Sequence, residues 1–303
     1  MRKSASRAIL ELLAAENRRV LSDWRAAIFL RRASLATPPT KRRWSSAPHR
    51  IEAIHPLLNQ MQQRDEIEPI PNQHRLYKVT VPYARGGPAE ETEILMEVHP
   101  YAALSHLSAL AFHGLTTALP QTIIATIPAA RPGTMLPPGT DIADWQEFAL
   151  VSGRKVDQIL GHPVHWVQIQ TERYFGIQQY QPHGYPVRVT TPERTLLDGL
   201  QRPELCGGLE NVLLAWRQAN DTLDLDTLIG DIDRLDIQVL RQRVGVILDQ
   251  LGIEHAAVEQ WRQHLPRGGS SKLLGSAPYA PEFSARWNLS LNAPLGALRE
   301  TGV

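Results

Sequence analysis

The sequence predicts an α+β protein: an N-terminal winged helix-turn-helix domain, residues 1–85, followed by a mixed α/β C-terminal domain with a helical lobe, residues 86–303. Three patterns predict this class. Helical periodicity precedes a short alternating hairpin pattern in the first segment, short β-branched segments follow, and helical periodicity returns after Thr191. With 303 residues, of which 43% are hydrophobic, the chain is long enough for about two domains with cores of their own.

The first 85 residues contain three predicted helices. Apolar spacing predicts the first helix within Ser6–Glu16 and its end at Asn17. The hydroxyl of Ser22 can cap the second helix. The third helix is predicted from about Arg50 to Arg64, and Pro56 either kinks it or marks its start.

A hairpin pattern follows these helices. Apolar residues alternate from Ile67 to Val81, and Pro71-Asn72-Gln73 predicts the turn. Helices followed by a hairpin predict a winged helix-turn-helix, in which one helix enters the major groove and the hairpin touches the sugar-phosphate backbone. The linker Ala33–His49 is longer than the three or four residues usual between the two helices of this motif.

The charges of the chain are unevenly distributed. The formal charge is +1 overall, but residues 1–85 hold sixteen basic and seven acidic residues, a balance of +9, which leaves −8 for the remainder. This asymmetry predicts a module that binds a polyanion, joined to an acidic body. The alternative is a solvated basic surface that has no partner.

The candidate DNA-binding residues are basic or aromatic side chains near the third helix and the hairpin tip. They are Arg31, Arg32, Lys41, Arg42, Arg43, Trp44, His49, Arg50, His74 and Arg75. Arg50 is predicted at a helix start, where recognition helices meet bases. For Lys41-Arg42-Arg43 the alternative is a disordered, solvated loop. RNA binding is disfavoured, because this segment has neither an RNP-like aromatic pair nor a GxxG loop.

Beyond a predicted hinge at Pro82–Ala89, the acidic body combines strands and helices. We expect a strand at Glu93–His99 and a helix from Pro100 to Gly114. Thr191-Pro192-Glu193 predicts a capped helix start. Further strands are predicted at Thr122–Ile127, Val164–Gln170, Tyr174–Tyr180, Pro186–Thr190 and Trp287–Leu291, and further helices around Leu209–Trp216, Leu225–Leu235 and Leu240–Leu251.

No pattern in the sequence predicts catalysis or a cofactor. His99, His106 and His113 lack the ligand spacing of a zinc site and are interpreted as structural or surface residues. Arg194 is expected to anchor its helix to a carboxylate or a carbonyl oxygen. Cys206, the single cysteine, is expected to be buried; it excludes an internal disulfide and favours the cytoplasm. No run of 18 uncharged apolar residues predicts a membrane-spanning helix.

Two motifs resemble the AbiEi family, the antitoxins of type IV toxin–antitoxin systems. The first runs from His99-Pro100-Tyr101-Ala102-Ala103-Leu104-Ser105-His106 to His113-Gly114-Leu115-Thr116. The second is Thr191-Pro192-Glu193-Arg194-Thr195-Leu196-Leu197-Asp198-Gly199-Leu200, with Arg202-Pro203 and Gly207-Gly208 after it.

The resemblance implies a cytoplasmic, non-catalytic transcriptional autorepressor of a phage-defence locus. Its winged helix would bind inverted repeats in double-stranded operator DNA, and repressors of this kind bind as symmetric pairs. Its C-terminal domain would counteract a nucleotidyltransferase toxin of the AbiEii type. A stable complex between toxin and antitoxin is not the rule in such systems. Two alternatives stay open: a nucleic-acid-processing enzyme with scattered catalytic acids, and a protein-interaction scaffold.

Overall fold

The computed structural model describes residues 2–81, 87–265 and 269–299. These ranges contain both helices and sheets, so the α+β class is confirmed. The helices are α1 Ala5–Ala15, α2 Asp23–Ala36, α3 His55–Gln63, α4 Glu91–Val98, α5 His106–Phe112, α6 Pro192–Gln201, α7 Leu209–Ala219, α8 Leu225–Leu235, α9 Gln238–Leu251 and α10 Ala256–Gln263. The strands are β1 Val20–Ser22, β2 Ile67–Pro69, β3 Leu76–Val79, β4 Ala103–Leu104, β5 Ile123–Pro128, β6 Gln158–Ile159, β7 His162–Ile169, β8 Ile177–Tyr180, β9 Val187–Thr190, β10 Ser271–Lys272, β11 Phe283–Ser284 and β12 Leu289–Ser290.

The chain forms two compact units, and each is discontinuous in sequence. Unit 1 comprises Met1–Ala102, Ile127–Val164 and Gln179–Arg188. Unit 2 comprises Ala103–Thr126, His165–Gln178 and Val189–Val303. This division differs from the predicted segments 1–85 and 86–303, because acidic segments beyond residue 86 belong to the same unit as the N-terminal helices. The predicted boundary itself, and most of the predicted hinge, lie outside the described residues.

The N-terminal part of unit 1 has the predicted helices and hairpin. Ser4 and Ser22 cap α1 and α2 by accepting hydrogen bonds from backbone N–H groups. The strands form an antiparallel sheet in the order β1-β3-β2, in which Leu21 pairs with Tyr77 and Glu68 pairs with Lys78. Apolar side chains of α1, α2, α3 and the sheet share one core.

Pro56 marks the real start of the third helix. A 3-10 turn at Ile51–Ile54 precedes α3, and the proline occupies the first turn of the α-helix. Its missing N–H needs no partner at that position. Arg50 therefore stands at the start of the 3-10 turn, before α3 begins.

The prediction of a strand at Glu93–His99 was wrong, because this segment forms helix α4. Glu93 and Glu97 are four residues apart, so they share one face of the helix. Both are buried: Glu93 accepts hydrogen bonds from the N–H groups of Arg19 and Val20, and Glu97 accepts them from the guanidinium groups of Arg18 and Arg25. These contacts with residues distant in sequence stabilise helix α4, and the local sequence pattern does not show them.

Unit 2 combines a short sheet with a helical core. Strand β4 pairs with β5 in antiparallel and with β9 in parallel orientation, so the helix predicted from Pro100 begins only at His106. The start of α6 is confirmed, since Thr191 accepts a hydrogen bond from the N–H of Arg194. Gly252 ends α9 with a φ of 70°, a left-handed conformation that favours glycine. Helix α10 was not predicted.

Within the described ranges, none of the helices combines the length and the apolar character that crossing a membrane requires.

Candidate nucleic-acid interface

Helix α3 exposes a polar face built from amide side chains. Leu58 and Met61 are fully buried, whereas Asn59, Gln60 and Gln63 are exposed. Gln63 follows Gln60 by three residues and Asn59 by four, so the three amides lie on one side of the helix. Asn and Gln side chains can each donate and accept a hydrogen bond at an adenine edge in the major groove.

These three amides carry no charge, so the distribution of charge in the sequence does not single them out. The signal was present: the polar residues Asn59, Gln60, Gln62 and Gln63 stand between and after the apolar residues Leu58 and Met61 of the third helix. Arg64, exposed at the end of α3, was overlooked as well.

The hairpin between β2 and β3 has a tight tip. Asn72 and Arg75 adopt left-handed backbone conformations, with φ of 61° and 57°. The N–H of Ile70 donates to the carbonyl oxygen of Leu76 at 3.0 Å and closes the turn. His74 is exposed and Arg75 is partly exposed, so both predicted residues lie at the tip.

The loop after α2 is held to the first residues of the chain by backbone hydrogen bonds. The N–H of Lys3 donates to the carbonyl oxygen of Lys41 at 3.0 Å, and the N–H of Arg43 donates to that of Lys3 at 3.0 Å. The side chains of Lys41 and Arg43 are exposed, as is that of Arg50. The basic run is therefore part of the folded unit and presents two cations to solvent.

Arg42 and Trp44 stabilise this loop from inside. The guanidinium of Arg42 donates to the carbonyl oxygens of Ser34 at 3.0 Å and Ser45 at 3.3 Å and lies 5.7 Å from the ring centroid of Trp44. The indole N–H of Trp44 donates to the hydroxyl of Ser34 at 2.7 Å. Both predicted contact residues thus serve the loop conformation.

Arg31 and Arg32 are engaged by acidic residues far along the chain. Arg31 is buried and lies 3.2 Å from the carboxylate of Glu147. Arg32 lies 2.6 Å from Asp144 and 3.1 Å from Glu16. The hydrogen bond to Asp144 raises the pKa of Arg32. Both side chains are therefore neutralised within unit 1 and are not free to meet a phosphate.

His49 shares one of these carboxylates. Its Nδ1 atom lies 2.7 Å from Glu147, although its ring is exposed. Hydrogen bonding to His49 lowers the pKa of Glu147. His49 is thus placed at the surface but is already paired.

In a second ion-pair cluster, further arginines are paired with a buried acid and are not available to bind a phosphate. The fully buried carboxylate of Glu97 lies 2.7 Å from Arg25 and 3.2 Å from Arg18, which are themselves buried. It also accepts a hydrogen bond from the hydroxyl of Ser22 at 2.5 Å. The cations left exposed on the N-terminal segment include Lys41, Arg43, Arg50 and Arg64, and Arg75 at the hairpin tip is partly exposed.

The histidines of unit 2 do not gather into a metal site. His113 lies 2.7 Å through Nε2 from the carbonyl oxygen of Thr190. His106 is buried beside Ser105. Across the part of the chain that the structure describes, no group of three His, Cys, Asp or Glu side chains is placed to hold a metal ion.

Arg194 anchors helix α6, as predicted. Its Nε donates to the carboxylate of Asp198 at 2.9 Å, and its Nη1 donates to the carbonyl oxygens of Arg173 and Phe175 at 2.9 Å each. Cys206 is fully buried, and burial raises the pKa of its thiol to about 12.

No protein-family model matches the chain, and no curated protein matches it. Among solved structures, the chain is similar to the crystal structure of the RV2827C protein from Mycobacterium tuberculosis, with 12% sequence identity and a TM-score of 0.49. The similarity covers 95% of this chain and 92% of that chain. This likeness is too distant to assign a fold or an activity.

Proposed function

We propose that the chain is a cytoplasmic DNA-binding repressor of its own promoter and the antitoxin of a type IV toxin–antitoxin locus. One observation carries the DNA-binding part: α3 turns a row of exposed amides to solvent, with exposed cations before it and a hairpin after it. The amides would read base edges in the major groove, and the cations would pair with phosphates.

The order of elements supports a winged helix as the module. The sequence α1-β1-α2-α3-β2-β3, with the sheet order β1-β3-β2, places a hairpin directly after the helix that carries the amides. In this arrangement α3 would be the recognition helix and the tip at Asn72–Arg75 would contact the backbone. Two copies bound to an inverted repeat would place their α3 helices about one helical turn, ~34 Å, apart.

The antitoxin part rests on the two motifs that resemble the AbiEi family. The partner would be a nucleotidyltransferase toxin encoded beside this chain, counteracted without a stable complex. The repressor itself would need no cofactor and would catalyse no reaction.

A mobility-shift assay with the region upstream of the chain's own gene tests the first part. We expect a retarded band for the full chain and its loss when Lys41, Arg43 and Arg50 are changed together to alanine. The control is Arg262→Ala, which removes an exposed arginine from unit 2. Absence of a shift would overturn the proposal. Magnesium-dependent cleavage of the DNA would favour the enzyme alternative, and a stable partner without a shift would favour the scaffold.

Co-expression tests the second part separately. Expression of the neighbouring open reading frame should arrest growth, and co-expression of this chain should relieve the arrest. The triple variant, which no longer binds DNA, should relieve it as well. Relief that disappears together with DNA binding would contradict a separate antitoxin role for the C-terminal domain.

A further inference from the structure

A small cavity in unit 2 is lined by residues from both sequence motifs. His106 comes from the first motif, and Arg194 and Asp198 come from the second. Arg173 and Arg202 complete its charged lining. The cavity has a volume of about 100 Å³. A space of this size suits a group of a few heavy atoms.

The charged lining of the cavity is predominantly positive. Three guanidinium groups, of Arg173, Arg194 and Arg202, accompany the single carboxylate of Asp198. Asp198 is already paired with Arg194 at 2.9 Å. Among the residues that the structure describes, the ion-pair partner of Arg202 is Glu204, at 3.1 Å, whose carboxylate is exposed. In the described ranges the guanidinium of Arg173 makes no hydrogen bond or ion pair, so the cavity has cationic groups that a bound anion could engage.

Two of these arginines lie where they can close on a ligand, and the third is fixed. Arg194 is held by Asp198 and by two carbonyl oxygens, which sets its plane before any ligand arrives. Arg173 and Arg202 are exposed side chains at the edge of the cavity. A planar guanidinium matches the oxygens of a phosphate group in pairs.

A residue that lines the cavity has a buried hydroxyl without a partner in the described ranges. Thr126 is 2% exposed and lines the cavity, and its Oγ1 atom has no hydrogen-bond partner within the described residues. Leaving a buried hydroxyl unpaired is costly, so its retention beside cations points to a ligand that accepts its hydrogen bond.

His106 is the second neutral polar group of the lining. It is 3% exposed and has a φ of 50°, an uncommon conformation for a residue other than glycine. Its Nδ1 atom lies 3.0 Å from the hydroxyl of Ser105, which fixes the ring. Burial lowers the pKa of His106, so the positive charge of the cavity comes from the arginines.

We propose that this cavity is a binding site for a phosphate group, either free inorganic phosphate or the phosphate of a nucleoside monophosphate whose sugar and base stay outside. Arg173 and Arg202 close on the anion, Arg194 sets its position, and Thr126 donates its hydroxyl hydrogen. The site lies in unit 2 and is independent of the DNA-binding proposal.

Isothermal titration calorimetry of the full chain tests the proposal with inorganic phosphate, adenosine 5′-monophosphate and adenosine. We expect both phosphate-bearing probes to bind and adenosine to give no heat. Tighter binding of inorganic phosphate would identify the free ion as the ligand, and tighter binding of the monophosphate would identify a phosphate ester. Absence of binding by both phosphate probes would overturn the proposal.

Matched variants separate the cavity from general attraction of anions. Arg173→Gln and Arg202→Gln should each weaken phosphate binding about tenfold, and Thr126→Val should also weaken it, because each removes one donor. Arg262→Gln is the control, since Arg262, like Arg202, is an exposed arginine of unit 2 paired with a nearby glutamate. Equal affinity in all variants, or an equal loss in the control, would overturn the proposal. Unfolding midpoints measured without phosphate verify that each variant folds.

Discussion

The carboxylate of Glu97 accepts two hydrogen bonds from the guanidinium of Arg25, at 2.9 and 2.7 Å, and both side chains are fully buried. The same carboxylate lies 3.2 Å from Arg18. Burial lowers the pKa of Arg25 to about 10, although Glu97 opposes that change. A buried pair of this kind stabilises little by itself, but removing one partner leaves a charge without compensation.

Glu97→Ala should therefore reduce the free energy of unfolding by about 3–5 kcal/mol. Urea denaturation of the full chain measures this change. The control is Glu68→Ala, because Glu68 and Lys78 form an exposed pair for which a loss below about 1 kcal/mol is expected. Equal losses in the two variants would contradict the role assigned to the buried cluster.

The buried carboxyl group of Glu93 should make the stability of the protein depend on pH. Its carboxylate accepts hydrogen bonds from the N–H groups of Arg19 and Val20 at 3.0 and 3.1 Å. Burial nevertheless raises its pKa from 4.5 to about 7. The folded state therefore holds this proton more tightly than the unfolded state, and the resulting stabilisation is complete below pH 4.5 and is lost as the pH rises through about 7.

Glu93→Gln should remove this dependence while its amide oxygen can still accept hydrogen bonds. Relative to the variant, the native sequence should lose about 3 kcal/mol between pH 4.5 and about pH 8. Urea denaturation across this range measures the difference. Parallel pH profiles of the two proteins would show that folding does not raise the pKa of Glu93. Glu68→Gln, at an exposed position, should leave the profile unchanged.

The salt dependence of DNA binding tests which cations meet phosphates. If Lys41, Arg43, Arg50 and Arg75 each pair with one phosphate, the logarithm of affinity should fall against the logarithm of salt with a slope of about −4. Changing Lys41 and Arg43 to alanine should reduce the magnitude of the slope by about 2.

Arg32→Ala provides the contrast, because Arg32 is paired with Asp144 and Glu16. It should leave the slope unchanged and lower the stability of unit 1. If Arg32→Ala reduced the magnitude of the salt slope as much as Arg43→Ala does, the assignment of Arg32 to internal ion pairing would be contradicted.

Sequence preference should depend on the amides of α3. Gln60→Ala should cost about 1–3 kcal/mol of discrimination between the operator and a single-base variant, if Gln60 reads an adenine. Competition binding with the two duplexes measures this. Gln260→Ala, an exposed glutamine on α10, is the matched control and should have no effect. Equal discrimination by the Gln60 variant and the native sequence would remove Gln60 from base recognition.

Local pattern was sufficient to predict the helices around Leu13, Phe29 and Leu58 and the hairpin after them, because their apolar spacing is regular and their caps are nearby in sequence. It was insufficient for Arg31 and Arg32. Their partners Glu147 and Asp144 are more than a hundred residues away, and only the folded chain brings them together. A charge count cannot distinguish a cation that faces solvent from one that neutralises a buried acid.

The same limit explains the cavity in unit 2. His106 and Arg194 belong to separate motifs, and each was interpreted as structural because the residues near each one in sequence do not form a catalytic or metal-binding arrangement. The start of α5 and the first turn of α6 place both side chains at one cavity. Helix α4 was mispredicted for a related reason, since the groups that donate hydrogen bonds to Glu93 and Glu97 lie in another segment.

Pro56 fixes where α3 begins and therefore the direction in which each amide points. A residue inserted between Thr37 and Arg50 would lengthen a loop and leave Asn59, Gln60 and Gln63 where they are. A residue inserted just after Pro56 would turn all three by about 100° around the helix axis and bring apolar side chains into their place. Length variation among related chains should therefore be permitted before this proline and forbidden after it.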